Sequence, residues 1–314
     1  MKKKCKIVFF GTPNFAVNVL RGLLKSDIEV LAVVTQPDQP KGRSKKPSPP
    51  PVKEFLLTTY PSISLYQPEC ASSLEFAKIL ESLKADIFVV AAYGEIIKQN
   101  LLDMPSIGCI NVHPSLLPKY RGAAPMQRSL MDGVKVSGVA IMHMVKKMDA
   151  GDIIKMEQIP VDDKITYGKL EEKLSVLGTQ LLISVIDDLS KGIVEGKTQD
   201  ETKVCFAPKI TKEDLKIDWT CSAEEIHNKV RALSPHPGAF SFVEINNNKL
   251  RLKIFKTKVI RNKKGRTGEI IYKNEELIVA CGSNSLSLLE VQLEGKRVMT
   301  IVEFLKGHKI YRLI

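Results

Sequence analysis

A doubly wound α/β domain built on a largely parallel sheet, followed by a smaller β-barrel of oligonucleotide-binding type, is the fold class this 314-residue chain predicts. Three observations carry that prediction. Apolar strands alternate with amphipathic helices through the first half, a polar stretch with glycine and proline follows them, and short strands separated by turn residues fill the last third. The length exceeds that of one ordinary hydrophobic core, so the expected domains are 1–191 and 209–314, joined by a linker over 192–208. With 44% hydrophobic and 26% charged residues, the composition belongs to neither disordered nor membrane proteins.

Lys6 to Phe10 reads as a buried strand. Thr12 as N-cap and Pro13 at the first helical position open a helix with the apolar stripe Phe15, Val19, Leu20, Leu23 and Leu24. Glu29 to Val34 is the second strand. Ser73 to Leu83 is a helix offering Leu74, Ala77, Ile79, Leu80 and Leu83 to a core, and Asp86 to Ala91 and Gly108 to Val112 are further buried strands. Such alternation predicts ligands beyond the carboxyl ends of the strands. A helix from Thr166 to about Lys191 closes the first domain. In the second, Ser222 and Glu225 have capping-box spacing, and strands are divided by 246–248, 263–265, 274–276 and 282–284.

Several classes are excluded early. The basic start and the apolar run Ile7 to Phe10 are cut short by Gly11-Thr12-Pro13-Asn14, too early for a signal peptide, and no stretch is long enough to span a bilayer. The first strand-to-helix turn has one glycine where a dinucleotide fingerprint needs three. Gly192 to Thr198 resembles a phosphate loop, but its glycines are one residue too close and it follows a helix. The six cysteines show no C-x-x-C pair and no zinc spacing, which predicts reduced thiols in a cytoplasmic protein.

The formal net charge of +12 is concentrated in the last third. Lys249 to Arg266 contains nine basic residues and no acid. Alternation there sets Lys249, Arg251 and Lys253 on one face of a strand and Leu250, Leu252 and Ile254 on the other. A second basic segment, Thr35 to Pro51, carries Lys41, Arg43, Lys45 and Lys46 against one acid, Asp38, among its prolines. A loop this long inside an α/β domain is more often functional than not. Unbalanced cations of this kind suit phosphates, and a solvated basic surface is the alternative.

Asn111 and His113 fall at the carboxyl end of a strand, where alternation turns both to one side. Asp149 follows in a turn-like break, Met148-Asp149-Ala150-Gly151-Asp152. An Asn, a His and an Asp are the parts needed for acyl transfer to an amine without a covalent intermediate. Attack on a formyl carbon develops negative charge on oxygen and positive charge on nitrogen. Asn111 suits the oxygen, and His113, oriented by Asp149, suits the proton.

Asn111-Val112-His113-Pro114-Ser115-Leu116-Leu117-Pro118-Lys119-Tyr120-Arg121-Gly122-Ala123-Ala124-Pro125 resembles the signature of the folate-dependent formyltransferases. That resemblance implies Asn111, His113 and Asp149 as the catalytic trio, Ser115, Leu116, Leu117 and Pro118 at the tetrahydrofolate site, 10-formyltetrahydrofolate as donor, and no metal. Phe10-Gly11-Thr12-Pro13, Thr35-Gln36-Pro37-Asp38, Gly42-Arg43 and Ala232 to Ala239 are similar to the branch of the family that acts on initiator Met-tRNA. They imply that RNA as partner, with Lys41, Arg43, Lys45, Lys46, Lys249, Arg251 and Lys253 as contacts, and no stable protein partner. Where that branch usually has tryptophan, this chain has His236. The alternatives are a family member acting on a small amine, which would not need two basic segments, and a non-catalytic RNA-binding protein, which would not need the trio.

Overall fold

β1 (Lys6–Gly11) leads into α1 (Asn14–Leu23), followed by β2 (Glu29–Val34), the two-residue strands β3 (Gln39–Pro40) and β4 (Pro47–Ser48), α2 (Pro51–Thr59), β5 (Ser64–Tyr66) and α3 (Leu74–Ser82). Next come β6 (Ile87–Ala91), α4 (Gln99–Leu102), β7 (Gly108–His113), α5 (Pro125–Met131), β8 (Val136–His143), β9 (Ile153–Pro160) and α6 (Tyr167–Ser190). The later elements are α7 (Ala223–Ala232), β10 (Ala239–Ile245), β11 (Asn248–Ile260), β12 (Ile270–Lys273), β13 (Glu276–Ala280), β14 (Ser285–Leu293), β15 (Met299–Thr300) and α8 (Ile301–Gly307). This computed structural model describes residues 4–40, 46–193, 195–245, 248–261, 265–273, 275–308, 310 and 313. Lys41, Arg43 and Lys45, the turn residues 246–247, 263–264 and 274, and Val194 of the phosphate-loop lookalike lie outside them.

Seven strands form one sheet in the order β5-β2-β1-β6-β7-β8-β9. β1 is parallel to β2 and β6, β6 is parallel to β7, and β8 runs antiparallel to β7. β1 lies between β2 and β6, so the strand order reverses there, the switch point at which doubly wound sheets open a crevice. Val8, Phe10, Val34, Phe88, Phe76 and Leu80 share one buried cluster. Truncating Phe10 to alanine would cost about 3–5 kcal/mol. On α6, Gly178 has no Cβ to meet the Val112 and Val139 methyls, and one built there would lie 3.0 Å and 3.2 Å from them.

Two local expectations are corrected. Thr12 does not cap α1: Pro13 holds the N-cap position. The Thr12 hydroxyl instead donates to the Tyr93 carbonyl at 2.7 Å and faces the Gln36 amide at 3.4 Å, tying the ends of three adjacent strands together. On α3, Ser73 does cap, accepting from the Phe76 amide, but Leu74 and Ile79 are exposed and Phe76 joins Ala77 and Leu80 in the core. Including Phe76 turns the buried face away from the stripe expected from leucine and isoleucine alone.

By internal contacts the chain divides into one unit of residues 1–125, 137–159 and 171–207 and another of 126–136, 160–170 and 208–314. The stretch expected as a linker is not free chain: Lys197 bridges to Ile153, and Arg121 exchanges backbone hydrogen bonds with Cys205 and Ala207. The second unit holds an antiparallel half-barrel, ordered β10-β11-β14-β13-β12 with β15 on β14. Its core gathers Val243, Leu252, Ile254, Val279, Leu286, Leu288 and Phe304, and the Trp219 indole donates to the buried Ser241 hydroxyl at 3.0 Å. Ser222 and Glu225 form the expected capping box on α7. No disulfide joins any of the six cysteines.

Candidate functional site

β7 sits inside the sheet with its carboxyl end at Asn111-Val112-His113, and the register pairs Asn111 with Met142 and His113 with Ala140. Strand alternation sends Val112 toward α6 and leaves Asn111 and His113 on the other face. After β8 the chain turns at 147–151 and brings Asp149 back to them. The Asn111 amide is 3.4 Å from Asp149 Oδ1, and His113 Nδ1 is 3.7 Å from Asp149 Oδ2. His113 Nε2 lies 3.0 Å from the Tyr120 carbonyl, which can only accept, so that nitrogen donates. The imidazole is 4% exposed, while Asn111 and Asp149 are half-buried. A carboxamide, an imidazole and a carboxylate thus converge at one strand end with little water around the ring.

The turn itself is under constraint. Asp149 has φ +50, a conformation that L side chains adopt at a cost of about 1–3 kcal/mol. Its carboxylate accepts from the Gly122 amide at 2.8 Å. Gly122 has φ +122, and a Cβ there would stand 2.8 Å from the Ala207 carbonyl, so glycine is required twice over. Gly151 is needed for a similar reason, since a Cβ would meet the His143 carbonyl.

The four residues expected at the folate site divide into two kinds. Ser115 and Leu117 are buried: the Ser115 hydroxyl donates to the Lys119 carbonyl at 2.7 Å, and Leu117 packs with Ala140 and Met142. They shape the loop from beneath. Leu116 and Pro118 are half-buried and can offer surface to a ligand.

Of the first basic segment, the structure describes the flanks. β3 and β4 pair as Gln39 with Ser48 and Pro40 with Pro47, and Lys46 is exposed beside them. Asp38, the only acid of the segment, is held by Lys53 at 2.9 Å and Gln67 at 2.8 Å, and these bonds keep its carboxyl below the usual range. In the half-barrel, Lys249 and Arg251 are exposed, Lys253 is half-buried, and Leu252 and Ile254 are buried, as alternation predicts. Lys249 sits 4.7 Å from the Phe242 ring centroid and Arg251 4.6 Å from that of Phe240. Lys253 donates to the Pro237 carbonyl at 2.8 Å. Sequence reasoning missed these two phenylalanines, whose alternation with buried Ala239, Ser241 and Val243 was the available signal. His236 is exposed and takes no part in the core.

It also missed Arg121 and Gln199. Arg121 is 1% exposed; its Nε and Nη2 donate to Gln199 Oε1 at 3.1 Å and 2.9 Å, and Nη2 also reaches Glu201 at 2.8 Å. Lys147 meets the other oxygen of Glu201 at 2.7 Å. The hydrogen bonds from Arg121 and Lys147 hold the Glu201 carboxyl down at about 2. A buried arginine inside a family signature was visible only as a motif letter, and Gln199 had no periodic signal at all.

A doubly wound domain with an Asn, a His and an Asp at one strand end, joined to a basic half-barrel, defines a group-transfer enzyme of the formyl transferase type. The chain belongs to that family: residues 5–186 match the formyl transferase model and residues 209–309 match the formyl transferase C-terminal domain model. Among its relatives is a methionyl-tRNA formyltransferase of Protochlamydia amoebophila (strain UWE25), 49% identical over 97% of this chain and 96% of the relative. Another, from Staphylococcus epidermidis, is 42% identical over 96% of each. Among solved structures, HypX from Aquifex aeolicus in complex with tetrahydrofolic acid superposes with a TM-score of 0.67 at 16% identity, covering 99% of this chain and 51% of that one. An N-formyltransferase from Helicobacter canadensis does so with a TM-score of 0.65 at 21% identity, covering 90% and 98%. These two show likeness of fold.

Proposed function

We propose that this protein transfers the formyl group of 10-formyltetrahydrofolate to the free amino group of methionyl-initiator tRNA, and that it does so in the cytoplasm. The observation that carries the reading is the convergence of Asn111, His113 and Asp149 at the end of β7, in a chain whose near-full-length relatives are methionyl-tRNA formyltransferases. The reduced folate supplies an activated formyl group. Asn111 offers amide N–H donors to the formyl oxygen as it gains negative charge, the interaction that grows in the transition state. His113 takes up the proton lost by the attacking amine and gives it to N10 of the folate as the bond between N10 and the formyl carbon breaks and tetrahydrofolate leaves. Asp149, oriented by Gly122, fixes the ring and faces the charge that develops on it.

The basic surfaces supply the acceptor. Cations lying against the rings of Phe240 and Phe242 are held in place before binding, so less entropy is lost when they meet phosphates. Lys41, Arg43, Lys45 and Lys46 bring further positive charge from the loop after β2, whose only acid is occupied by Lys53. No described helix is long and apolar enough to cross a membrane.

Mass spectrometry of initiator Met-tRNA after incubation with the enzyme and 10-formyltetrahydrofolate tests the reading, with dTDP-aminosugars and glycinamide ribonucleotide as parallel acceptors. A formyl mass increment on the methionine is the expected result. Formylation of a small amine with Met-tRNA left untouched would overturn it.

A further inference from the structure

We infer that Gln199, locked by Arg121, is the positioning residue that holds the turn of Asp149 in its active shape. The inference rests on the proposed role of Asp149. Gln199 is 6% exposed and uses both amide protons on this turn, donating to the Asp149 carbonyl at 2.9 Å and the Gly151 carbonyl at 2.7 Å. The first carbonyl belongs to Asp149 itself, which lies in the left-handed region where backbone geometry needs outside support, and the second closes the turn two residues on.

The amide can point only one way. Arg121 presents Nε and Nη2 to Gln199 Oε1, and a guanidinium has donors alone, so the –NH2 group cannot turn toward it. Glu201 then anchors Arg121 and returns through Lys147 to the turn, two residues before Asp149. The backbone of Arg121 serves the same end. Its neighbours are Tyr120, whose carbonyl faces His113, and Gly122, whose amide faces Asp149, and the bonds to Cys205 and Ala207 fix it between them. Buried residues without contact to the carboxylate oxygens thus set where those oxygens lie, and a fixed geometry is what the trio requires.

Steady-state formylation of Met-tRNA by full-length Gln199→Met, Gln199→Glu, Asp149→Asn and Gln199→Met/Asp149→Asn enzymes, with thermal denaturation of each, tests the inference. Gln199→Met is expected to lower kcat roughly ten- to a hundredfold, the scale of a misplacement of about 1 Å, with KM for both substrates within about threefold. Gln199→Glu, which still accepts from Arg121 but cannot donate to the two carbonyls, is expected to show the same loss while staying folded. In the Asp149→Asn background, Gln199→Met is expected to cost less than about threefold, because its effect passes through the carboxylate. Undiminished kcat in Gln199→Glu, or a fully multiplicative loss in the double variant, overturns the positioning role and leaves the trio standing. Wild-type turnover in Asp149→Asn removes the trio reading itself.

Discussion

The amide of Gly122 donates to Asp149 Oδ2 at 2.8 Å, joining the end of the signature segment to the carboxylate that faces His113. The pairing works because Gly122 occupies φ +122 and leaves room for the Ala207 carbonyl. Gly122→Ala should therefore strain the backbone and displace the 205–207 segment together. We expect a loss of at least tenfold in turnover and a stability loss of about 1–3 kcal/mol, read by formylation kinetics and denaturant titration. Wild-type values for both would remove Gly122 from the site.

His113→Ala and Asp149→Asn should each lower kcat by about 100-fold or more, the usual scale for losing acid–base assistance, with Kd for Met-tRNA little changed. Single-turnover formylation alongside filter binding separates the two quantities. Near-normal turnover in both variants would refute the assignment.

Arg43→Ala should reduce kcat/KM for Met-tRNA at least tenfold with folate affinity and melting temperature unchanged. A guanidinium can hold a phosphate or base edge at two points, where the neighbouring lysines act as point charges. Kinetics with initiator tRNA and folate titration of the same variant provide the comparison. Equal kcat/KM in variant and wild type would show that the loop does not read the acceptor.

Charge reversal of Lys249, Arg251 and Lys253 should weaken tRNA binding and flatten its dependence on salt, since each lost phosphate contact removes about one released counterion. Phe240→Leu with Phe242→Leu should weaken binding by a smaller factor, because it frees the cations without removing them. An unchanged salt slope after the triple reversal would mean that this face is only solvated.

Burial holds the His227 imidazole below its ordinary value, and both ring nitrogens are engaged: Nδ1 with the Thr257 hydroxyl at 2.9 Å and Nε2 with the Asp163 carbonyl at 2.8 Å. His143 is lowered as well, again by burial. Below the unfolded value near 6.5, the unfolded chain takes up protons that the folded chain refuses, so stability falls with pH in that range. Melting temperature should drop between pH 7.5 and 5.5, and His227→Gln, which can keep both hydrogen bonds, should shrink the drop. An equal drop in that variant would exclude His227 as a source.

The architecture and half of the candidate site are legible in the amino-acid order, because those features are local. Period-two and helical patterns mark β1, β2, β6, β7, α6 and α7, and alternation alone sets Asn111 beside His113 and Lys249 beside Arg251. Phase errors arose where one apolar residue was left out, as with Phe76 on α3, or where a hydroxyl had a distant partner, as with Thr12 and Tyr93. How far-separated residues meet emerges with the folded chain. Asp149 reaches β7 because β8 returns antiparallel beside it, and Gln199 reaches Arg121 across 78 positions of chain. No periodicity records such encounters. They are selected by the need to satisfy buried donors and acceptors once the sheet has formed, and that need exists only in the folded molecule.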